Sequence, residues 1–263
     1  MLLSGLKNRL KDSKFILSVY FFFRKIRKQL MLLKYRRLAK KQHKTIVHFL
    51  HIGKTGGSSI KYGLKYKGKP YIHNQFIIIC QPHFFKLKDT RAGEKFFFIV
   101  RDPVERFISG FYSRKRKGQP RIYSEWSANE KTAFETFNTP NELAVAISSK
   151  NVKIKTKAIM AMKSITHINT SYWDWFNNKS FFLNRLDDIF FIGNQENLGN
   201  DFLILKKKLE LPDDYALPDD EIKQHKNPED VDKKISPEGM ENLKVWYKKD
   251  YEFLELLKKD NLL

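Results

Sequence analysis

Two strand-like runs, each carrying the chain straight into a glycine- or proline-marked helix start, constrain this sequence more than any other feature. The first is His48-Phe49-Leu50-His51-Ile52-Gly53-Lys54-Thr55-Gly56-Gly57-Ser58-Ser59-Ile60. The second, about fifty residues on, is Phe97-Phe98-Ile99-Val100-Arg101-Asp102-Pro103-Val104-Glu105-Arg106-Phe107-Ile108-Ser109. Strands that alternate with helices imply a parallel sheet with helices on both faces, an α/β fold. Both turns would then lie at the carboxyl edge of that sheet, where open α/β folds bind ligands. Both also carry groups suited to anions.

In the first turn, Gly53, Gly56 and Gly57 allow backbone N–H groups to gather in a concave nest. The helix that follows adds partial positive charge at its N-terminus. Lys54 supplies a mobile full charge, and Thr55, Ser58 and Ser59 supply hydroxyls. The same glycines would also serve an ordinary strand–helix join. Gly53-Lys54-Thr55 invites a P-loop reading, but that pattern needs a glycine at position 48, which is His48.

In the second turn, Phe96 to Val100 is continuously apolar, as a strand buried on both faces requires. Asp102 is placed to cap the next helix, Pro103 fits its first position, and Glu105 completes a capping-box-like start. Arg101 stands at the strand's end, and Ser109 follows two turns along the helix. A guanidinium fork with a hydroxyl on that face can hold a phosphate. A simple Arg101–carboxylate pair is the structural alternative.

Taken in order, these two motifs resemble the sulfotransferases, and most closely the carbohydrate, heparan-type branch with its Arg-Asp-Pro-x-x-Arg signature. The resemblance covers about residues 45–257 and extends to Phe190–Asn197 with Asp201-Phe202, and to His225-Lys226-Asn227 through Tyr251. It weakens between 118 and 180. It implies a P-loop-like three-layer fold with a central parallel sheet flanked by helices. It also implies the cofactor 3′-phosphoadenosine 5′-phosphosulfate (PAPS), with Lys54, Thr55, Gly56, Gly57, Ser58 and Ser59 on the 5′-phosphosulfate. Arg101 and Ser109 would hold the 3′-phosphate. A histidine after the second strand serves that branch as base, and His83, eighteen residues before Arg101, matches the placement. Lys54 would neutralise the leaving group. The implied acceptor is a hydroxyl of a carbohydrate or glycolipid, and the mechanism needs no metal.

The other histidines compete less well. His48 alternates within the first strand and reads as buried and structural; His51 borders the glycine turn. His43, His73, His167 and His225 lie in the leader, before a strand, in the weak middle region and in the closing loop. Should His83 fail, Glu94 or Asp89 is the fallback base. Tyr172, Trp173, Trp175 and Phe176 can stack on sugar or adenine but read first as core. The run Arg114 to Lys117 reads as a solvated helix end.

The chain has 263 residues, enough for one sizeable α/β domain, and its single cysteine, Cys80, excludes an intrachain disulfide. The net charge is +21, of which residues 1–44 supply +13 through fourteen Lys or Arg against Asp12. Such a field suits anionic partners. No helix-turn-helix, finger or RNP pattern supports specific nucleic-acid recognition. Residues 1–44 therefore form a basic N-terminal segment ahead of a catalytic domain at 45–263. The longest apolar run there, Phe15 to Phe23, is too short to span a bilayer and lacks a signal-peptide cleavage site. The segment reads as one or two basic amphipathic helices, with Leu2, Leu3, Leu6 and Leu10 on one face. Two fates are open to it: attachment to an anionic membrane surface, or packing on the domain. The expected location is cytoplasmic, with the membrane periphery as the alternative that the first of these fates would bring.

Predicted strands are 45–51, 76–80, 96–101 and 188–193. Predicted helices are 57–66, 103–117, 131–138, 140–149, 157–166, 197–209 and 237–258. Two rival functions remain at this point: a nucleotide kinase on a related fold, and a non-catalytic anion- or membrane-binding module.

Overall fold

A computed structural model describes residues 14–120, 122–219 and 231–263. Leu2, Leu3, Leu6, Leu10 and His225 lie outside them. Five strands form one sheet: β1 (Thr45–Phe49), β2 (Tyr71–His73), β3 (Phe76–Cys80), β4 (Lys95–Val100) and β5 (Ile189–Asn194), in the order β2-β3-β1-β4-β5. β1 pairs in parallel with β3 and with β4, and β4 in parallel with β5. The four predicted strands are all present. The short β2 was not anticipated; it pairs antiparallel with β3 at the sheet edge, through Tyr71, Ile72 and His73.

The sheet is apolar on both faces because its strands alternate between two cores. Ile46, Ile77, Ile79, Phe96, Phe98 and Val100 face one layer. Val47, Phe49, Phe76, Ile78, Phe97 and Ile99 face the other. The first layer holds helix α1 (Lys14–Lys41) through Leu32 and Ala39. It also holds the short helices α7 (Trp173–Phe176) and α8 (Lys179–Leu183) and the last helix, α11 (Lys248–Lys259). The second layer holds α2 (Gly57–Gly63) through Ile60, and α9 (Leu198–Lys208) through Phe202 and Leu205. Phe202 lies so close beneath α2 that a Cβ on Gly63 would come within 2.5 Å of its ring.

A third core is wholly helical. It joins α3 (Pro103–Lys115), α4 (Ala128–Thr136), α5 (Pro140–Ala146), α6 (Val152–Ser164) and α10 (Pro237–Trp246). Two of these helices begin before the apolar periodicity does. Ser127 and Glu130 form a capping box at the start of α4, and the Asn151 side chain caps α6. The predicted helix over 237–258 is two helices that break at Tyr247, whose buried hydroxyl donates to the Ile168 carbonyl at 2.9 Å. The aromatic cluster Tyr172, Trp175 and Phe176 is core, as its composition suggested.

The second arginine of the Arg-Asp-Pro motif is the bolt between these layers. Arg106 is almost fully buried; it pairs with Asp250 of α11 at 3.4 Å, donates to the Thr170 carbonyl and lies over the Tyr172 ring at 4.7 Å. Asp250 in turn accepts from the Tyr172 backbone N–H at 2.8 Å. Removing the guanidinium leaves a buried carboxylate without its cation. Arg106→Ala should lose about 3–5 kcal/mol of stability in chemical denaturation. A loss below about 1 kcal/mol would mean that this pair is not what joins α3 to α11.

Candidate active site

β1 lies between β3 and β4, so the loops leaving β1 and β4 depart in opposite directions. The crevice between their carboxyl ends is the topological switch point of the sheet. The first turn occupies one side of it. Gly56 has φ +84°, and Lys54 itself has φ +67°, a left-handed conformation uncommon for a residue with a Cβ. The Thr55 hydroxyl donates to the Ile52 carbonyl at 3.1 Å, so it closes the turn instead of facing a ligand. Any contribution of Thr55 to an anion is through its N–H. α2 begins at Gly57 with no side chain capping it, so its first N–H groups lack a side-chain acceptor. Ser58 is partly exposed there and Ser59 is buried.

The second turn faces it. The Asp102 carboxylate caps α3, accepting from Val104 N–H at 2.8 Å and Glu105 N–H at 3.0 Å, with Pro103 in the first turn. Its other oxygen accepts from the Tyr251 hydroxyl at 3.0 Å. Glu105 does not complete a capping box. Its carboxylate pairs instead with the Arg101 guanidinium at 3.2 Å, in a half-exposed i,i+4 contact of the weak kind. Arg101 also reaches across the crevice, donating from Nη1 to the Lys54 carbonyl at 3.4 Å. Its Nε is buried and has no hydrogen-bond partner. Ser109 is buried on α3.

Sequence reasoning did not find the group that holds Arg101. The Tyr172 hydroxyl accepts from the Arg101 N–H at 2.9 Å and donates to the Arg101 carbonyl at 2.5 Å. One phenol thus fixes both backbone groups at the end of β4. Nothing local announces this, because Tyr172 is seventy-one residues away.

Three histidines line the β3 side. His83 lies 3.9 Å from His51 and 5.6 Å from His167, ring to ring. His83 Nδ1 is 2.9 Å from the His51 carbonyl. A carbonyl only accepts, so Nδ1 carries the proton and Nε2 keeps its lone pair. The residues around them are cationic, and none of the three rings is protonated at neutral pH. His83 is lowered to about 4, first by desolvation in the cleft and then by Lys61, Lys86 and Lys54, against its bond to His51. Burial followed by Lys54 and His83 lowers His167 to about 3, and burial followed by His83 holds His51 well below its usual range. Among the described residues, no three His, Cys, Asp or Glu side chains form a metal-ligand set. Lys54 is lowered to about 8 by burial, then by Arg116 and Arg101. Arg116 therefore belongs beside the site, whereas Arg114 in the same run is a buried structural partner of Glu130 at 2.7 Å.

His48 is structural. Its Nδ1 accepts from the Gln81 amide at 2.7 Å, and its Nε2 donates to Glu94 at 3.0 Å. Glu94 is also held by both Nε and Nη2 of Arg36, at 2.6 and 2.8 Å, and these bonds press it below the ordinary carboxylate range. A carboxylate so engaged is no base. Asp89, paired with Lys25 at 3.2 Å and bonded to the Lys86 N–H, is engaged elsewhere too. Both fallback bases are thereby set aside.

The close fit of the first turn against the histidines has a measurable consequence. A Cβ on Gly57 would lie 2.1 Å from the buried His51 ring. Gly57→Ala should cost about 1–3 kcal/mol, read as a lower Tm, through overpacking alone. An unchanged Tm would show that the His51 ring is not fixed against the turn.

A model of the sulfotransferase family matches residues 38–256, a stretch that includes both turns, His83 and Tyr172. No curated protein matches the chain. With most of its length matched and the two turns facing each other across one switch point, the chain belongs to the sulfotransferase family.

Proposed function

We propose that this sulfotransferase moves the sulfuryl group of PAPS to a hydroxyl of a carbohydrate or glycolipid. One observation carries the reading: the Arg101 guanidinium meets the Lys54 carbonyl, so two anion-binding turns about fifty residues apart share one crevice. The unpartnered, buried Nε of Arg101 and the uncapped start of α2 are donors that fit a ligand with two separated anionic groups.

PAPS, when bound, supplies the activated sulfuryl group. The chain supplies position and charge. Lys54, with the N–H groups of Gly56, Gly57, Ser58 and Ser59, would hold the 5′ end, and Lys54 would neutralise charge on the departing phosphate oxygen. Arg101 and Ser109 would hold the 3′-phosphate. The weak Glu105 contact yields readily to a phosphate, which offers Arg101 a bidentate partner. His83, neutral and with its Nε2 lone pair directed by the Nδ1 bond, would take the proton of the acceptor hydroxyl.

Isothermal titration separates this reading from the kinase rival. Adenosine 3′,5′-bisphosphate should bind, and Arg101→Ala should weaken it by about tenfold to a hundredfold, as for a lost charged hydrogen bond. Binding of ATP–Mg²⁺ with no response to the bisphosphate would favour a kinase.

The pH profile of kcat/KM tests the assigned protonation states. Activity needs His83 neutral and Lys54 charged. It should rise through about pH 4 and fall through about pH 8, the values of the free protein. Lys54→Arg should move the alkaline limb upward, because a guanidinium stays charged. His83→Ala should lower kcat by ~10²–10⁴-fold with bisphosphate affinity retained. Wild-type turnover in both Lys54→Ala and His83→Ala would remove these roles, whereas no single-turnover sulfate transfer by the unaltered protein to any of a panel of glycans would favour the non-catalytic module.

A further inference from the structure

Helix α1 is apolar on two opposite faces, and among the described residues only one of them is covered. Met31, Leu32, Tyr35, Leu38 and Ala39 pack into the first core. On the other side, Val19, Phe22, Phe23, Ile26, Leu30 and Leu33 fall at i, i+3, i+4, i+7, i+11 and i+14. That spacing is a single helical stripe. All six are exposed; Phe22, Phe23 and Leu30 show 60%, 63% and 62% of their surface. Scattered apolar residues on a surface are ordinary, but an unbroken stripe over four turns is not.

The charge on the helix identifies the occupant. Residues 14–41 contain ten Lys or Arg and no Asp or Glu. Exposed Arg27 and Lys34 border the stripe, and Arg37, Lys40 and Lys41 continue its face toward the C-terminal end. A second copy of this chain would set cations against cations. An anionic bilayer accepts both parts, taking the apolar side chains below its headgroups and the cations among its phosphates. No helix among the described residues is long and apolar enough to cross a membrane, so the helix would lie in the surface.

The direction of α1 places this surface. Arg36 meets Glu94 just before β4 begins, whereas Arg24 stacks on Phe84, Lys28 lies over Phe85 and Lys25 pairs with Asp89. Residues 84–89 directly follow His83. The helix thus runs antiparallel to the central strands, and its N-terminal half reaches the sheet edge that carries His83. We infer that α1 docks by its Val19–Leu33 stripe on an anionic lipid surface, with the His83 edge of the protein close to that surface. This rests on the exposure and charge of α1 and not on the donor assigned above.

Vesicle co-sedimentation of the full chain tests it. Phosphatidylcholine vesicles containing phosphatidylserine should retain the protein, and pure phosphatidylcholine should retain far less. Phe22→Asp with Phe23→Asp should lower partitioning on the order of 100-fold, given what two buried phenyl rings contribute. Lys34→Gln and Arg37→Gln should each reduce the preference for phosphatidylserine about fivefold. The bisphosphate titration should be unaltered in these variants, which separates failure here from failure of the catalytic reading. A label on Leu30→Cys gives a second readout, and it is selective because Cys80 is buried and its thiol is raised to about 12. A polarity-sensitive dye there should shift to the blue on phosphatidylserine vesicles. Absence of binding, partitioning indifferent to Phe22→Asp/Phe23→Asp, or a dimer dissolved by those same substitutions would each overturn the inference.

Discussion

The position of β1 between β3 and β4 is the constraint from which the rest follows. It sends one turn toward β3 and the other toward β5, and leaves their ends facing each other over a gap. Lys54, Arg101 and Arg116 are thereby brought together with little carboxylate among them; among the described residues Glu105 is the one paired with Arg101, and it is half exposed. Burial first, and the neighbouring cations second, depress the basicity of Lys54 and of three histidines. A surface with so much unrelieved positive charge is poised for an anion, and the entry of one would offset the coulombic part of these shifts. Burial and this field together keep the proposed histidine base unprotonated beside a lysine whose proposed role needs its charge. Imidazole loses its proton long before the ammonium group does when both are repelled by the same neighbours.

Holding that arrangement requires parts of the chain that are distant in sequence. Tyr172 fixes the backbone of Arg101, Tyr251 bonds the capping carboxylate of Asp102, and Arg106 couples α3 to Asp250. α11 and the segment before α7 therefore act as a brace behind the second turn. Tyr172 and Arg106 also share a ring–guanidinium contact, so the brace is a single packed unit. The short residue signature Arg-Asp-Pro-x-x-Arg thus divides its labour. Its first arginine faces the crevice and its second faces the core.

These roles explain what was legible in the sequence and what was not. Strands β1, β3, β4 and β5 and the caps at Asp102 and Pro103 rest on local patterning, and the chain displays them directly. The capping box at Ser127 and Glu130 was equally local and would have set the start of α4 correctly. Helices α7 and α8 are only four and five residues long, and apolar positions in so short a span carry no period. The grip of Tyr172 on Arg101 and the burial of Arg106 are long-range facts with no trace in their neighbourhoods. The fate of α1 stays open in the sequence for a different reason. Apolar residues on two opposite faces blur the amphipathic signal, so the packed and unpacked sides cannot be separated without the sheet to pack on.

The buried chain from Arg36 to Gln81 shows why α1 matters to the site whatever its outer face meets. His48 occupies the middle of the central strand, where a polar ring is tolerated only with both nitrogens satisfied. Gln81 serves one nitrogen and Glu94 the other, and Glu94 is a tolerable neighbour only because Arg36 of α1 binds both of its oxygens. Gln81 is itself buried, directly follows β3 and stands two residues before His83. The match to the sulfotransferase family begins at residue 38, within α1 and just past this arginine. Without Arg36, a carboxylate would face the sheet interior with only a neutral imidazole and one backbone N–H to answer it. The turn after β3 that carries the proposed base is therefore anchored, through four side chains, to the basic helix that precedes the sheet.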